Sequence, residues 1–459
     1  MISKGSRKKI LSVAVMTTLV FGSFATSSLE VEAKSYKSNQ GKVKNVIFLI
    51  GDGMGPAYTT AYRSFKDNKD PYVEETAFDK HLVGMQQTYS WDPEESITDS
   101  SAAATSLSSG IKTYNGAVAV DMEKNEVKTV LEEAKDRGKS TGLVSTSQVN
   151  HATPASFGAH DESRNNYNDI ADDYFDEKID GQHKVDVILG GGTSYFERED
   201  RNLAEEFEDA GFSYVHTKEE MLEDDNEQIL GLFAPVGLDK AIDRPEEQPT
   251  LEEMTDTALS KLSENKDGFF LMVEGSQIDW AGHDNDIVGA MSEMEEFEKA
   301  YQRAIEFAKK DKHTLVITTA DHSTGGLTMG IDGEYKWDPT PLKAAKRTPD
   351  YMAAEISEGE DVEDVLEEYI DLDLTEEEID SVEDAAEEED TTEIDNAIER
   401  IFDLRSGTGW TTGGHDGVDV NVYAYGPQSD QFIGLHDNHQ VGLKVIDILK
   451  NVRSVKPHK

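Results

Sequence analysis

The chain has 459 residues, no cysteine, and 93 Asp and Glu against 44 Lys and Arg, a formal charge of −49 at pH 7. Such a surface repels nucleic acid and anionic lipid, and the missing thiols exclude disulfides and thiolate metal sites, leaving any metal to His, Asp, Glu or hydroxyl ligands. Apolar strands recur along most of the length, which argues against a disordered acidic chain and for a folded one adapted to high salt, with cations screening its self-repulsion.

In chain order, Lys4, Arg7, Lys8 and Lys9 precede the apolar run ILSVAVMTTLVFGSFA, and Val31-Glu32-Ala33 supplies small residues at the spacing of a cleavage site. This predicts a secretory signal peptide over 1–33 rather than an anchoring helix, which needs ~20 apolar residues. A secreted protein, extracellular or periplasmic, is expected, with no membrane span once that segment is removed.

Val43–Ile50 (VKNVIFLI) has the nearly continuous apolar character of a strand buried on both faces. It ends in the glycine-rich turn GDGMG, and a helix is expected from near Pro56. The stretch ITDSSAAATS at 97–106 holds two adjacent serines, and the alanine-rich residues 102–107 behind them predict a helix. Further buried strands are expected at Gly142–Ser145, Val185–Leu189, Phe269–Val273, Thr314–Thr319 and Val420–Tyr425, with helices at Leu251–Ser263 and Gly289–Lys309. Strands alternating with helices predict an α/β fold, a mostly parallel central β-sheet flanked by helices on both faces. Residues 351–400 carry 23 acidic residues and one basic residue, Arg400, with Val362, Val365, Leu366, Tyr369 and Ile370 at helical spacing. They predict a peripheral acidic helical insertion, about 340–404, with a disordered linker as the alternative.

In such sheets, ligands bind beyond the carboxyl ends of the strands. Asp52 follows the first strand. Asp279 follows the strand ending in Glu274, with His283 four residues on; Asp321 and His322 follow Thr314–Thr319; His415 lies in TTGGHDG. Each is a hard or borderline ligand, and each is expected in a loop, although Asp279 and His283 would also share one face of a helix. The remaining histidines, His81, His160, His183, His216, His313, His436, His439 and His458, are read as surface or structural residues. No histidine and no GxSxG turn lies near the paired serines, so the residues alone leave open which serine reacts and what activates it. Metal ions on the distant Asp and His groups could lower a hydroxyl pKa and stabilise the attacking and leaving oxygens of a phosphoryl transfer.

The run ITDSSAAAT at 97–105 resembles the active-site signature of the alkaline phosphatases. GDGMG, HATPASFGAHDESR, VEGSQIDWAGH, TADH and GGH occur in that family's order, over roughly 43–427. The resemblance implies a single alkaline-phosphatase-like catalytic domain over 34–459 that hydrolyses small phosphomonoesters through a phosphoserine. It further implies that Ser100 is the nucleophile, with Ser101 at a position that asks only for a small residue. Asp279, His283 and His415 would bind the zinc that activates the hydrolytic water. Asp52, Asp321 and His322 would bind a second zinc, and Asp52 would bridge to a third ion, magnesium, held with Thr153 and Glu274 and with His151. Arg164 would clamp two phosphate oxygens, oriented by Asp99. Two departures bear on this. Some members have Asp where this chain has His151, and an imidazole favours zinc-like metals over Mg²⁺, so the third metal's identity stays open. Some have Lys where it has Trp280, and losing that charge should weaken product binding. Family members are commonly dimers, and a homodimer is one expectation. Alternatives are a phosphodiesterase or sulfatase on a related metal core and, more remotely, a non-catalytic secreted protein that binds metal or phosphate.

Overall fold

The structure is a computed structural model, and it describes residues 41–67, 75–388 and 390–450. The signal peptide expected over 1–33 and His458 lie outside the described residues.

Ten strands form the central sheet: β1 (Asn45–Gly51), β2 (Leu82–Gln87), β3 (Ser140–Gln148), β4 (Val187–Gly191), β5 (Ser213–Val215), β6 (Ile229–Leu232), β7 (Phe269–Gly275), β8 (Thr314–Thr319), β9 (Val420–Tyr425) and β10 (Gly434–Asp437). Their order is β10-β2-β9-β8-β1-β7-β3-β4-β6-β5. All pairings are parallel except those of β9, which runs antiparallel to both β8 and β2. The sheet is therefore mixed but mostly parallel, as expected.

Every residue of β1 is buried, and its side chains alternate between two cores. Ile47 and Leu49 pack with helices Leu251–Leu262 and Ile287–Asp311, through Met254, Leu259, Met294 and Phe297. Val46, Phe48 and Ile50 face the other side, with Leu107, Phe157, Val441 and Val445. Each such side chain contributes about 1.5–3 kcal/mol by burial, so a continuous apolar run is what a twice-covered strand requires. The six strands read from the sequence all occur, with ends moved by a few residues.

Four strands escaped the sequence reading. β2 and β10 are partly exposed near one edge, and β5 and β6 close the other with three and four residues. Residues 349–406 form four helices, Pro349–Glu358, Val362–Tyr369, Glu376–Ala386 and Thr391–Ser406. Met352, Leu366, Val382, Ile398 and Phe402 bury against the first core, so the acidic charge lies on helices with one apolar side rather than on a disordered linker. Among the described residues, no helix is long and apolar enough to cross a membrane.

The parallel strands β1, β7 and β8 are adjacent, and the segments leaving their carboxyl ends meet on one edge of the sheet.

Candidate active site

Asp52 leaves β1 fully buried, and neither carboxylate oxygen has a hydrogen-bond partner. Burial, then the charges of Asp321, Asp279 and Glu274, push its pKa well above the carboxylate range. Burial and Asp279 likewise push Asp321 up to about 8. Removing a charge from water costs several kcal/mol unless it is paired, so buried carboxylates facing one another call for a cation. The turn after β1 shapes this cluster. Gly53 has φ +68, and a Cβ there would fall 2.8 Å from the Asp279 Cα. Its backbone N–H donates to Asp321 Oδ1 at 3.1 Å.

Asp321 and His322 lie in the loop after β8, as expected. His322 Nε2 is 3.3 Å from Asp52 Oδ1, 3.2 Å from Asp321 Oδ2 and 3.1 Å from Ser100 Oγ. Burial, then the neighbouring His415, holds the His322 pKa well below its ordinary value, so the imidazole is neutral.

Asp279 and His283 are not in a loop. They occupy helix Gln277–Asp284, which begins two residues after β7 ends, and they share its face one turn apart. His283 Nε2 lies 3.3 Å from Asp279 Oδ2 and 3.1 Å from His415 Nε2. The opposite ring nitrogens are fixed by backbone carbonyls, His283 Nδ1 by Gly413 at 2.7 Å and His415 Nδ1 by Thr98 at 2.8 Å. With those carbonyls accepting from Nδ1, each ring in its neutral form directs its Nε2 lone pair into the same space, as metal-ligating imidazoles do. The Asp279 hydrogen bond pushes His283 up to about 9. Against the burial that would raise it, the His283 hydrogen bond and the surrounding imidazoles hold Asp279 well below the carboxylate range. His415 also departs from the loop expectation, since His415–Asp416 pairs as a short strand with Ser323–Thr324. Its ring stacks on His322 with centroids 3.5 Å apart.

Two of the groups that could hold a metal meet here: Asp279, His283 and His415, and Asp52, Asp279 and His322, the ligand atoms within each lying within 4.8 Å of one another. Asp279 belongs to both, and Asp321 adjoins the second. A further donor set lies beside them, where Glu274 Oε1 and Thr153 Oγ1 are buried without partners. Glu274 Oε2 accepts from Ser145 Oγ at 2.6 Å and Ser147 Oγ at 3.4 Å.

Ser100 opens helix Ser100–Ser109, with Asp99 as its N-cap. Asp99 Oδ1 accepts from the Ala102 N–H at 2.9 Å. Its Oδ2 accepts from Ser101 Oγ at 2.7 Å, from the Gly116 N–H at 3.0 Å and from Arg164 Nη1 at 3.1 Å. The two serines thereby separate: Ser101 is bonded to the cap, and Ser100 Oγ faces the imidazole and carboxylate cluster. Arg164 Nη2 lies 3.2 Å from His151 Nε2, and the other His151 nitrogen is buried without a partner. Burial, then the Arg164 charge, drives His151 down to about 3, so it accepts from the guanidinium as a neutral ring. Trp280 packs edge-on against it, with ring centroids 5.8 Å apart. A cleft of about 500 Å³ lined by Ile97, Thr98, Asp99, Asn115, His283 and His415 opens over the site.

Thr324 was missed by the sequence reading. Its Oγ1 bonds Asp279 Oδ1 and lies 3.2 Å from His322 Nδ1, so one hydroxyl braces both groups. Its position two residues after the Asp321-His322 pair was the available signal. All twelve residues singled out from the sequence lie in or beside this cluster.

A family model described as alkaline phosphatase matches residues 43–451. The chain is 61% identical over 449 residues to "Alkaline phosphatase 3" of Bacillus subtilis (strain 168), covering 96% of this chain and 97% of that protein. Its fold is similar to the crystal structure of the cold-active alkaline phosphatase from the psychrophile Shewanella sp., with a TM-score of 0.83, 42% identity, and coverage of 88% of this chain and 99% of that one. It is also similar to a His-to-Asp mutant of TAB5 alkaline phosphatase, from an Antarctic bacterium, with Mg bound in the M3 site: TM-score 0.64, 29% identity, 89% and 98% coverage.

Proposed function

The chain belongs to the alkaline phosphatase family and hydrolyses phosphomonoesters, and we propose that Ser100 is the residue that carries the phosphoryl group. The observation behind this is the placement of Ser100 Oγ at a helix N-terminus, 3.1 Å from His322 Nε2. Asp279, His283 and His415 would hold one zinc ion, Asp52, Asp321 and His322 a second, and Thr153 and Glu274 a magnesium ion. The unpartnered buried oxygens of Asp52, Asp321, Glu274 and Thr153 fit that assignment. Bound there, the ions supply positive charge that lowers hydroxyl pKa values and stabilises attacking and leaving oxygens. The magnesium of the TAB5 mutant supports a third metal site in this chain. His151, engaged by Arg164 through one nitrogen, is its weaker ligand.

Ser100 Oγ attacks phosphorus in line. The serine O–P bond forms as the ester P–O bond breaks, and the alcohol leaves. Water then cleaves the phosphoserine from the vacated side, releasing inorganic phosphate and restoring Ser100. Arg164 binds two equatorial phosphate oxygens with its planar fork, which Asp99 holds in orientation. The helix N-terminus adds N–H groups and a dipole that favour the anion.

Export by the 1–33 signal, a single catalytic domain over 34–459 with its insertion at about 340–404, salt adaptation and a homodimer complete the reading. The net charge of −49 supports the third of these. Elemental analysis of the active protein tests the metals: two zinc and one magnesium per chain are expected, and an active protein without zinc would overturn the assignment. Turnover on monoester, diester and sulfate-ester substrates should favour the monoester strongly.

A further inference from the structure

Asp284, Asp286, Asp350, Asp395 and Glu399 gather where the acidic insertion meets the helix bearing Asp279 and His283. They come from separate segments. Asp284 ends helix Gln277–Asp284, Asp350 lies in the first turn of helix Pro349–Glu358, and Asp395 and Glu399 are one turn apart on helix Thr391–Ser406. The ligand atoms of Asp284, Asp350 and Asp395 lie within 4.8 Å of one another.

Lys240 neutralises part of this charge. Its Nζ is 3.3 Å from Asp284 Oδ2 and 3.5 Å from Asp286 Oδ2, and it also bonds Asp350. Those contacts take up the three donors of an ammonium group. Asp395 and Glu399 are only 4% and 5% exposed, and Asp395 Oδ1 and Glu399 Oε1 have no hydrogen-bond partner. Buried carboxylates are ordinarily paired or bound to metal, so this placement calls for more positive charge than one lysine brings.

We propose that Asp284, Asp350 and Asp395 form a calcium site, bordered by Glu399, which clamps the insertion to the helix that carries Asp279 and His283. The donor set is oxygen only, which selects a hard cation over zinc. Carboxylates from three independent segments suit the flexible, oxygen-rich coordination of Ca²⁺ better than the strict octahedron of Mg²⁺, which keeps much of its water. Glu399 also lines a cleft of about 400 Å³ with Asn285, Asn396 and Asp403.

Equilibrium dialysis of the zinc-replete enzyme against radiocalcium tests this, comparing the natural chain with Asp395→Asn and Asp350→Asn. The Asp350 side chain is 50% exposed, so loss of binding in that variant cannot be assigned to a damaged core. The natural chain should bind one Ca²⁺ with Kd on the order of 10⁻⁴ M or tighter, and its Tm should rise with calcium concentration. Each variant should bind at least ~10-fold more weakly, as expected for a lost carboxylate ligand, with unchanged zinc content. No calcium uptake by the natural chain, or uptake that both variants retain at full affinity, would overturn the proposal.

Discussion

Ser100 Oγ and His322 Nε2 stand 3.1 Å apart, while the adjacent Ser101 hydroxyl donates to Asp99 Oδ2 at 2.7 Å. The two serines should therefore respond differently to truncation. Ser100→Ala should lose at least ~10³-fold in kcat with its circular dichroism and Tm preserved. Ser101→Ala removes one hydrogen bond to the cap and should cost less than about 10-fold. Comparable losses in both variants would contradict this assignment.

Arg164 is held by Asp99 on one Nη and by His151 on the other. Arg164→Lys keeps the charge and loses the fork, so kcat/KM should fall about 10–100-fold, the equivalent of about 1.5–3 kcal/mol in charge-assisted hydrogen bonding. Asp99→Asn should raise KM as well, by releasing the guanidinium. Steady-state kinetics on a simple aryl phosphate measures both.

Trp280 lies against His151, where some family members place a lysine. Trp280→Lys adds a cation near the bound phosphate. Inhibition by inorganic phosphate should tighten about 10-fold, a gain of ~1.4 kcal/mol. An unchanged inhibition constant would rule out a role for this position in product release.

His160 is buried between Glu132 and Glu177, with ring nitrogens 3.6 Å and 3.3 Å from their carboxylates. Burial alone would lower its pKa, but the flanking Glu132 and Glu177 carboxylates prevail and raise it to about 9 from 6.5. A raised histidine pKa stabilises the fold fully below 6.5, and that contribution is lost as pH rises through about 9. His160→Gln should thus cost about 3 kcal/mol near pH 6, progressively less between pH 6.5 and 9, and almost nothing above pH 9. Chemical denaturation of both proteins across that range reads the difference.

Much of this architecture can be read from the chain because the physics is local. VKNVIFLI announces a twice-buried strand, and Asp321-His322 at the end of Thr314–Thr319 falls where an α/β sheet binds ligands. Asp279 and His283 show the limit of that rule. Their spacing gave the shared face, but the helix starts so soon after β7 that a strand-end loop was the wrong expectation. β2 and β10 carry exposed residues near an edge, so they lack the apolar run that marks the central strands. Thr324 and the Arg164–His151 contact depend on tertiary approach, and nothing in a common hydroxyl or a lone histidine advertises them. In the sequence the choice between Ser100 and Ser101 rests on family resemblance, because only the fold sets the two hydroxyls in different surroundings.

The central claim is that Ser100 carries the phosphoryl group, and trapping that intermediate tests it most directly. The enzyme is mixed with substrate, quenched rapidly in acid and digested, and the peptide spanning ITDSSAAATS is sequenced by mass spectrometry. One phosphoryl group should appear on Ser100, persist in Ser101→Ala and vanish in Ser100→Ala. A phosphoryl group on Ser101, or full turnover with no label on this peptide, would contradict the account.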